Sequence, residues 1–425
     1  MAIRGLDTRL PALQQPTVRA GGPTPAATAP AVAPVARDTF VRTQPTSFAQ
    51  AISPFVATPF RPGNQVDLFI NGDEVFPQIH KLLDSAKERI DMEFFAFTDD
   101  PTGREIGEKL IGKAKEGVQV NVLVDKVSQL NSNLMKHLED NGVRVQRFTN
   151  GYQTPLLHAN NITDHRKIIL VDGKAGMTGG MNLAERYEKY WHDVMVKFQG
   201  PSLQDVYSKF EANWKLSGGD AVRPIKLDLA PKGSHSVQVA VTSKNEREIR
   251  DSFLAAFKTA KENINVQSPY FIDEDMVKGL TEAAKRGVKV HVQVPSVGDN
   301  SAVDLMNRSV INQLRDANVD VYQYDTMNYQ VGKHDHVTDH FNHAKIATFD
   351  GKLSIIGTAN MDHRSMAMSQ EINLHVESEQ FAKEIEERFF KKDVLLKKAT
   401  PAMKQVMSGK EKIAEKVLNS MRHLF

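Results

Sequence analysis

The 425-residue chain contains no cysteine, which removes disulfides, a thiolate nucleophile and any cysteine-ligated zinc or iron–sulfur centre from consideration. Net charge is also scarce: 54 Lys and Arg stand against 52 Asp and Glu, a formal +2, so a generally basic nucleic-acid-coating protein is excluded and any basic function must be local. Long apolar runs are missing. No stretch reaches the roughly 18 to 20 residues that span a bilayer, and the N-terminus, MAIRGLDTRLPALQQP, lacks the apolar segment of a secretory signal. The expectation is a chain that starts in the cytoplasm and at most lies on the inner membrane surface. What is present, 40% hydrophobic and 25% charged residues, is the make-up of a globular protein of about two or three domains.

Ten of the 19 prolines fall within residues 1–62, amid Ala, Thr and Gly, a composition that cannot offset its ordering entropy by burial. Residues 1–62 are therefore expected to be a disordered tail. From Val66 the texture changes: a short strand (VDLFI), a helical pattern from Glu74 to Lys87, the apolar stretch IDMEFFAF, a helix ending at Gly117, then VQVNVLVD. Strands alternating with helices indicate an α/β protein with a parallel or mixed sheet. The order then returns. VQVAV leads into a helical segment ending in AKENI, an echo of AKERI; INVQSPYF stands where IDMEFFAF stood; EAAKRGVKVHVQV matches KAKEGVQVNVLV. Two repeats are expected, over 63–230 and 231–392. A basic amphipathic helical tail over 393–425 follows, with Met403, Val406, Ile413, Val417, Met421 and Leu424 at helical spacing among lysines.

The chemistry-bearing residues repeat most strictly. His165, Lys167, Asp172, Gly180, Asn182 and Asp193 are matched by His343, Lys345, Asp350, Thr358, Asn360 and Glu371, each pair 178 positions apart. Lys167-Ile-Ile-Leu-Val and Lys345-Ile-Ala-Thr-Phe read as buried strands, and side chains two apart on a strand share a face, so each His points the same way as its Lys. Asp172-Gly173 and Asp350-Gly351 lie between apolar runs, a strong hairpin signal, which makes turn residues one reading of these aspartates. Asn182 and Asn360 follow the returning strands, where amide donors meet an anionic oxygen. A duplicated His, Lys and Asn set supplies several donors for phosphate.

The duplicated HxKx4Dx6G-[GT]-x-N pattern resembles the phospholipase D superfamily, over about Val66 to Lys392. QSPYFIDED, GTANMDHRSMAMSQEINL and MEFFAFTDDPTGREIGEKL are similar to the bacterial cardiolipin synthases within it. The resemblance implies two phospholipase D-like repeats, each a mixed sheet flanked by helices, packed about a pseudo-twofold axis. It implies phosphatidyl transfer or phospholipid hydrolysis through a phosphohistidine, without a cofactor. His165 would be the nucleophile and His343 the acid, then base, with Lys167, Lys345, Asp172 and Asp350 completing the catalytic set. Asn182, Asn360, Gly180 and Thr358 would meet the substrate, while Asp193 and Glu371, each 28 residues after its histidine, would orient the rings. Many cardiolipin synthases begin with transmembrane helices, where this chain carries its Pro/Ala tail.

Other features compete for attention. A superfamily nuclease is the rival enzyme, disfavoured by the near-zero charge; a lipid-binding scaffold is disfavoured because both motifs are intact. His334, His336, His340 and His343 suggest a metal site, but no helical pattern would align them and His343 is already explained, so a loop beside the pocket and no metal are expected. His158, His192 and His363 are expected to support rather than catalyse. Phe94, Phe95, Phe97, Tyr270 and Phe271 read as core strands under the site, with Tyr270 the one suited to line a channel. The expected partners are a phospholipid substrate and, through the C-terminal tail, a membrane surface.

Overall fold

The computed structural model of the chain describes residues 47–129, 133–149, 162–325 and 341–421. Sixteen strands form within them. The first half contributes β1 (Arg61–Ile70), β2 (Arg89–Phe94), β3 (Gln119–Asp125), β4 (Arg144–Phe148), β5 (Lys167–Val171), β6 (Ala175–Gly179) and β7 (Val194–Gln199). The second contributes β8 (His235–Ser243), the short β9 (Glu246–Arg247), β10 (Asn263–Gln267), β11 (Lys289–Pro295), β12 (Asp320–Tyr324), β13 (Ile346–Phe349), β14 (Leu353–Gly357), β15 (Glu371–Glu377) and β16 (Ala399–Pro401). Their order across one mixed sheet is 16-12-11-10-13-14-15-8-1-7-6-5-2-3-4, with β9 beside β8. The two halves thus mirror one another about the antiparallel contact of β1 with β8.

Burial explains the layers. Central strands are buried on both faces: β5 (KIILV) reads as a continuous apolar run, whereas β2 (RIDMEF) alternates and buries Arg89 with Asp91 as a pair at 2.6 Å. One core lies between the first half's sheet and the helices Asn71–Asp84 and Pro101–Lys115. Its counterpart lies under Glu248–Thr259, Glu274–Lys285 and Ser301–Asp316. A third core joins the halves: Leu68, Ile168 and Phe198 meet Val239, Ile356 and Leu374, covered by the helix Leu203–Leu216 and by Phe381, Ile385 and Phe389. That shared apolar layer is what holds two repeats as one body.

Three expected boundaries are corrected. Residues 47–62 are structured rather than tail: Ser47 caps a helix at Phe48–Ile52, and Phe48, Ile52 and Val56 are buried in the second half's core. The surrounding prolines masked a short apolar segment that has a core to enter. At the other end, Asp393 belongs to the body, since it is buried and accepts from His192 Nε2 at 3.1 Å and Gln293 Nε2 at 2.7 Å. The C-terminal helix spans only Gly409–Ser420. Met403 and Val406 precede it, because Ala399–Pro401 first adds to the edge of β12 and a capping box at Ser408 and Glu411 starts the helix later. Residues 1–46, the histidine-bearing segment 334–340, His158 and Leu424 lie outside the described residues.

Candidate active site

Both motifs build the same local structure. Val171-Asp172-Gly173-Lys174 closes the β5–β6 hairpin with a Lys174 N–H to Val171 carbonyl bond of 2.9 Å, and Phe349 to Lys352 does the same for β13–β14. Positive φ at Asp172 (52°), Gly173 (66°), Asp350 (49°) and Gly351 (60°) is the two-residue turn that Asp-Gly favours. His165 and His343 enter their strands at the opposite end.

The backbone ties each histidine to the other half. His165 N–H donates to the Gln370 carbonyl at 2.9 Å, and His343 N–H to the His192 carbonyl at 2.8 Å. Side chains follow the same exchange: His165 Nδ1 lies 2.9 Å from Glu371 Oε1, and His343 Nδ1 lies 2.8 Å from Asp193 Oδ2. The orienting carboxylates therefore cross between repeats, a correction to the expectation that each serves the histidine of its own half. The cause is the packing of the halves, which seats the start of β15 beside His165 and the approach to β7 beside His343. With Nδ1 engaged, His165 presents Nε2 to the cavity. Lys167 Nζ donates to the His165 carbonyl at 2.7 Å; Lys345 Nζ donates to the His343 carbonyl and sits 2.9 and 3.0 Å from the ring nitrogens.

Asp172 and Asp350, expected in the catalytic set, are turn anchors instead. Asp172 accepts from the backbone N–H groups of Lys87, Glu88 and Arg89 at 2.8, 2.8 and 2.9 Å. Asp350 accepts likewise from Lys261, Glu262 and Asn263 at 2.9, 2.8 and 3.0 Å. Neither lines the cavity. Gly180 and Thr358, expected to touch substrate, also lie outside its wall and serve the carboxylates. A Cβ at Gly180 would stand 2.1 Å from Asp193 Oδ1, so only glycine lets that carboxylate in. Thr358 Oγ1 donates to Glu371 Oε2 at 2.5 Å, and Ser365 Oγ to Oε1 at 2.7 Å. Asn182 and Asn360 do line the cavity. Asn182 Oδ1 accepts from Ala96 N–H at 3.0 Å and its amide donates to the Tyr187 hydroxyl at 2.7 Å; Asn360 Oδ1 is buried without a hydrogen-bond partner among the described residues.

A family model described as "Cardiolipin synthase, PLD-like domain" matches the chain twice, over residues 79–214 and 253–393. The chain belongs to this phospholipase D-like family. Major cardiolipin synthase ClsA of Bacillus subtilis is 29% identical over 352 residues, covering 79% of this chain and 70% of that protein. Cardiolipin synthase 2 of Bacillus anthracis is 34% identical over 319 residues, covering 71% and 59%. Among solved structures, phosphatidylserine synthase from Haemophilus influenzae superposes with a TM-score of 0.67 at 13% identity, over 89% of this chain and all of that one, a likeness of fold.

Both phospholipase D-like motifs open on one cavity of about 280 Å³. Its walls include Phe95, Arg186, Tyr187, Trp191, Tyr270 and Asp299 beside the two histidines. Phe94, Phe97 and Phe271 are core, as expected, but Phe95 is a wall residue whose ring lies 5.2 Å from that of His165. Tyr187 and Trp191 pack at 5.4 and 5.1 Å from the His343 ring. His192 supports from behind, stacked between Tyr324 and Phe389 at 4.8 and 4.7 Å. Sequence reasoning missed Arg186, although Arg364 follows it at the same 178-residue offset.

Burial governs the site's protonation. It lowers the His165 imidazole to about 4 and pushes His343 well below its ordinary range, with Lys345 and Lys167 adding repulsion at His343. It also lowers Lys167 to about 7 and Lys345 to about 8, and raises Asp193 to about 6. His165, His343 and Glu371 line the cavity, with Lys167, Lys345 and Asp193 buried just behind them. An arriving phosphodiester adds the negative charge that would raise all four bases, so the site takes up protons as it takes up an anion.

Proposed function

We propose that the chain is a phosphatidyltransferase of the cardiolipin synthase type, acting on a phospholipid phosphodiester through a phosphohistidine. The crossed His165–Glu371 and His343–Asp193 pairs carry this reading, because each half lends the orienting carboxylate that the other half's histidine needs. His165 Nε2 attacks phosphorus. The bond to the first alcohol oxygen breaks, and that oxygen takes the proton of His343. A second alcohol, or water, then gives its proton to His343 as its oxygen attacks phosphorus and the P–N bond breaks. Lys167, Lys345 and the asparagines balance the charge on the non-bridging oxygens. Neutral His165 in the free site is the form that can attack.

The test uses histidine variants and a phosphatidyl ester of p-nitrophenol, whose leaving group needs no acid. His343→Asn should accumulate a phosphatidyl adduct on His165, seen by intact mass. His165→Asn should form none. An adduct on His343 in the His165→Asn protein would reverse the roles; normal turnover by both variants would remove the covalent mechanism.

No helix among the described residues is long and apolar enough to cross a membrane. Contact with a bilayer surface is assigned to the C-terminal segment, where Leu395, Met403, Val406, Ile413 and Val417 are exposed by 80, 80, 87, 67 and 54% among lysines. Each lysine near an anionic surface contributes about 1 kcal/mol. The doubly substituted Ile413→Asp, Val417→Asp protein should lose cosedimentation with phosphatidylglycerol vesicles; unchanged cosedimentation would rule out this face.

A further inference from the structure

The two motifs are alike, but the buried groups behind them are not. Glu93 on β2 pairs across the sheet with Ile168, and Gln267 on β10 pairs with Ile346, 178 positions later, so Glu93 and Gln267 occupy one place in the two halves. Asp164 and Asn342, the residues before the histidines, are matched in the same way. The first half thus has two acids where the second has the corresponding amides, and all four side chains are buried. In the second half Gln267 Nε2 donates to the Asn342 carbonyl at 3.4 Å, with no charge to balance. In the first, Asn213 Nδ2 bridges the acids, 2.6 Å from Glu93 Oε1 and 3.1 Å from Asp164 Oδ2, and the two carboxyl groups lie within hydrogen-bond reach of each other. Glu93 Oε2 has no other donor among the described residues. Two charged groups face the pair. Arg166 Nη1 lies 3.7 Å from Glu93 Oε1, and Asp125 Oδ2, within electrostatic reach of Arg364, accepts the Asp164 N–H at 2.8 Å. Their matches in the second half, Ala344 and Pro295, carry no charge.

We propose that Glu93 and Asp164 share one proton, and that the single negative charge of this pair sustains the ammonium of Lys167, as a positioning pair for the first motif that the second replaces with amides. This rests on the reading above, in which Lys167 holds the phosphate oxygens. Two carboxyl groups in contact, with a third carboxylate beside them and one guanidinium in reach, cannot both ionise in a buried place. Loss of one proton leaves a charge-assisted O–H to oxygen bond between them, the strong kind. Arg166 and Asp125 cancel, so the group as a whole keeps one negative charge. Lys167 lies on the strand that Asp164 leads into, and its Nζ donates to the His165 carbonyl at 2.7 Å. Burial works against its charge and Lys345 repels it, while Glu371, Asp164 and Asp193 favour it. Lys345, equally buried, has amides behind it and draws on Asp193, Glu371, Asp299 and Asp362 instead. The phosphate-holding lysine beside the nucleophile is therefore the one whose charge its own half supports from behind.

Amide variants separate the pair's charge from its packing. Asp164→Asn or Glu93→Gln removes the shared proton but leaves one acid free to ionise, so each single variant should keep the wild-type alkaline limb of kcat/KM with the p-nitrophenyl phosphatidyl ester. The double variant Glu93→Gln, Asp164→Asn copies the second half and loses the charge. It should lower that limb by about one pH unit, the small end of a neighbouring charge's effect. A pair that served packing alone would change turnover and leave the limb in place. Infrared difference spectra at about pH 8 give a second readout, since carboxyls such as Asp125 and Asp193, at about 6, are then ionised. Wild-type protein should show a protonated-carboxyl band that either single variant lacks. A double variant with the wild-type limb overturns the proposal, as do single variants that lower the limb as far as the double does. Absence of the band also overturns it, and decides the matter where the double variant does not fold. Single variants that both fail to fold overturn it too, because amides already stand at these places in the second half. A wild type that shows the band but releases no p-nitrophenol at any pH removes the phosphatidyl-transfer reading, and with it the task of the pair, while the shared proton stands.

Discussion

Gly180→Ala is the smallest change that separates the two histidines. The added methyl would stand 2.1 Å from one oxygen of Asp193 and 2.7 Å from the other, far inside contact distance. The carboxylate must swing away, and with it goes the 2.8 Å bond to His343 Nδ1. Loss of an orienting partner costs about 10- to 100-fold in activity, and neutralising a triad carboxylate about 10⁴. Asp193 is displaced rather than removed, so a loss of about 10²-fold in turnover is expected. The matched change on the other side is Thr358→Val, which deletes the 2.5 Å hydroxyl bond to Glu371 but leaves that of Ser365, and should cost about 10-fold. The two variants should differ in where they act. With the p-nitrophenyl ester, Gly180→Ala should keep a rapid burst of p-nitrophenol followed by slow turnover, because His165 still attacks while the base for the second step is misplaced. Thr358→Val should slow the burst itself. A slow burst in Gly180→Ala with normal later turnover would refute the assignment of Asp193 to the acid–base histidine.

Two further outcomes follow from the same geometry. Because burial brings Lys167 to about 7 and Lys345 to about 8, the free site loses positive charge as pH rises through those values, so kcat/KM for an anionic lipid should fall above about pH 7. The alkaline limb of kcat should lie higher, since bound phosphate holds the lysines protonated; a kcat/KM level through pH 9 would contradict this. Asp172→Ala leaves three N–H groups unsatisfied and places alanine at φ 52°, at a cost of about 3 to 5 kcal/mol of stability, whereas Asp172→Asn should cost less. Denaturant melts measure this, and an Asp172→Ala protein of wild-type stability but lost turnover would return the residue to the catalytic set.

The split between legible and hidden features has a physical basis. A constant offset of 178 between His165 and His343, Lys167 and Lys345, Asp193 and Glu371 is a statement about repeated local structure, and period-two strand geometry then aims each His with its Lys. Those features, the Asp-Gly hairpins and the mixed sheet are legible in the sequence. Which carboxylate meets which histidine is not, because chain proximity favours Asp193 for His165 and only the interface between halves reverses it. The aspartates of the motif illustrate a second limit. A residue repeated in register with catalytic groups can be kept by the fold, as Asp172 and Asp350 are by three backbone N–H groups each. Gly180 and Thr358 illustrate a third: unlike in chemistry, one makes room for a carboxylate and the other bonds to one, so the shared task appears only when both carboxylates are in view. The repeats also depart from symmetry: Ala96 and Tyr270 stand just before the equivalent bridges Phe97–Leu183 and Phe271–Met361 and both line the cavity, but only Tyr270 carries a hydroxyl, which donates to Asp299 Oδ1 at 2.7 Å. In a duplicated fold that is where a reaction with two different ends must be written, since a strictly twofold site would hold the leaving alcohol and the retained phosphatidyl group alike.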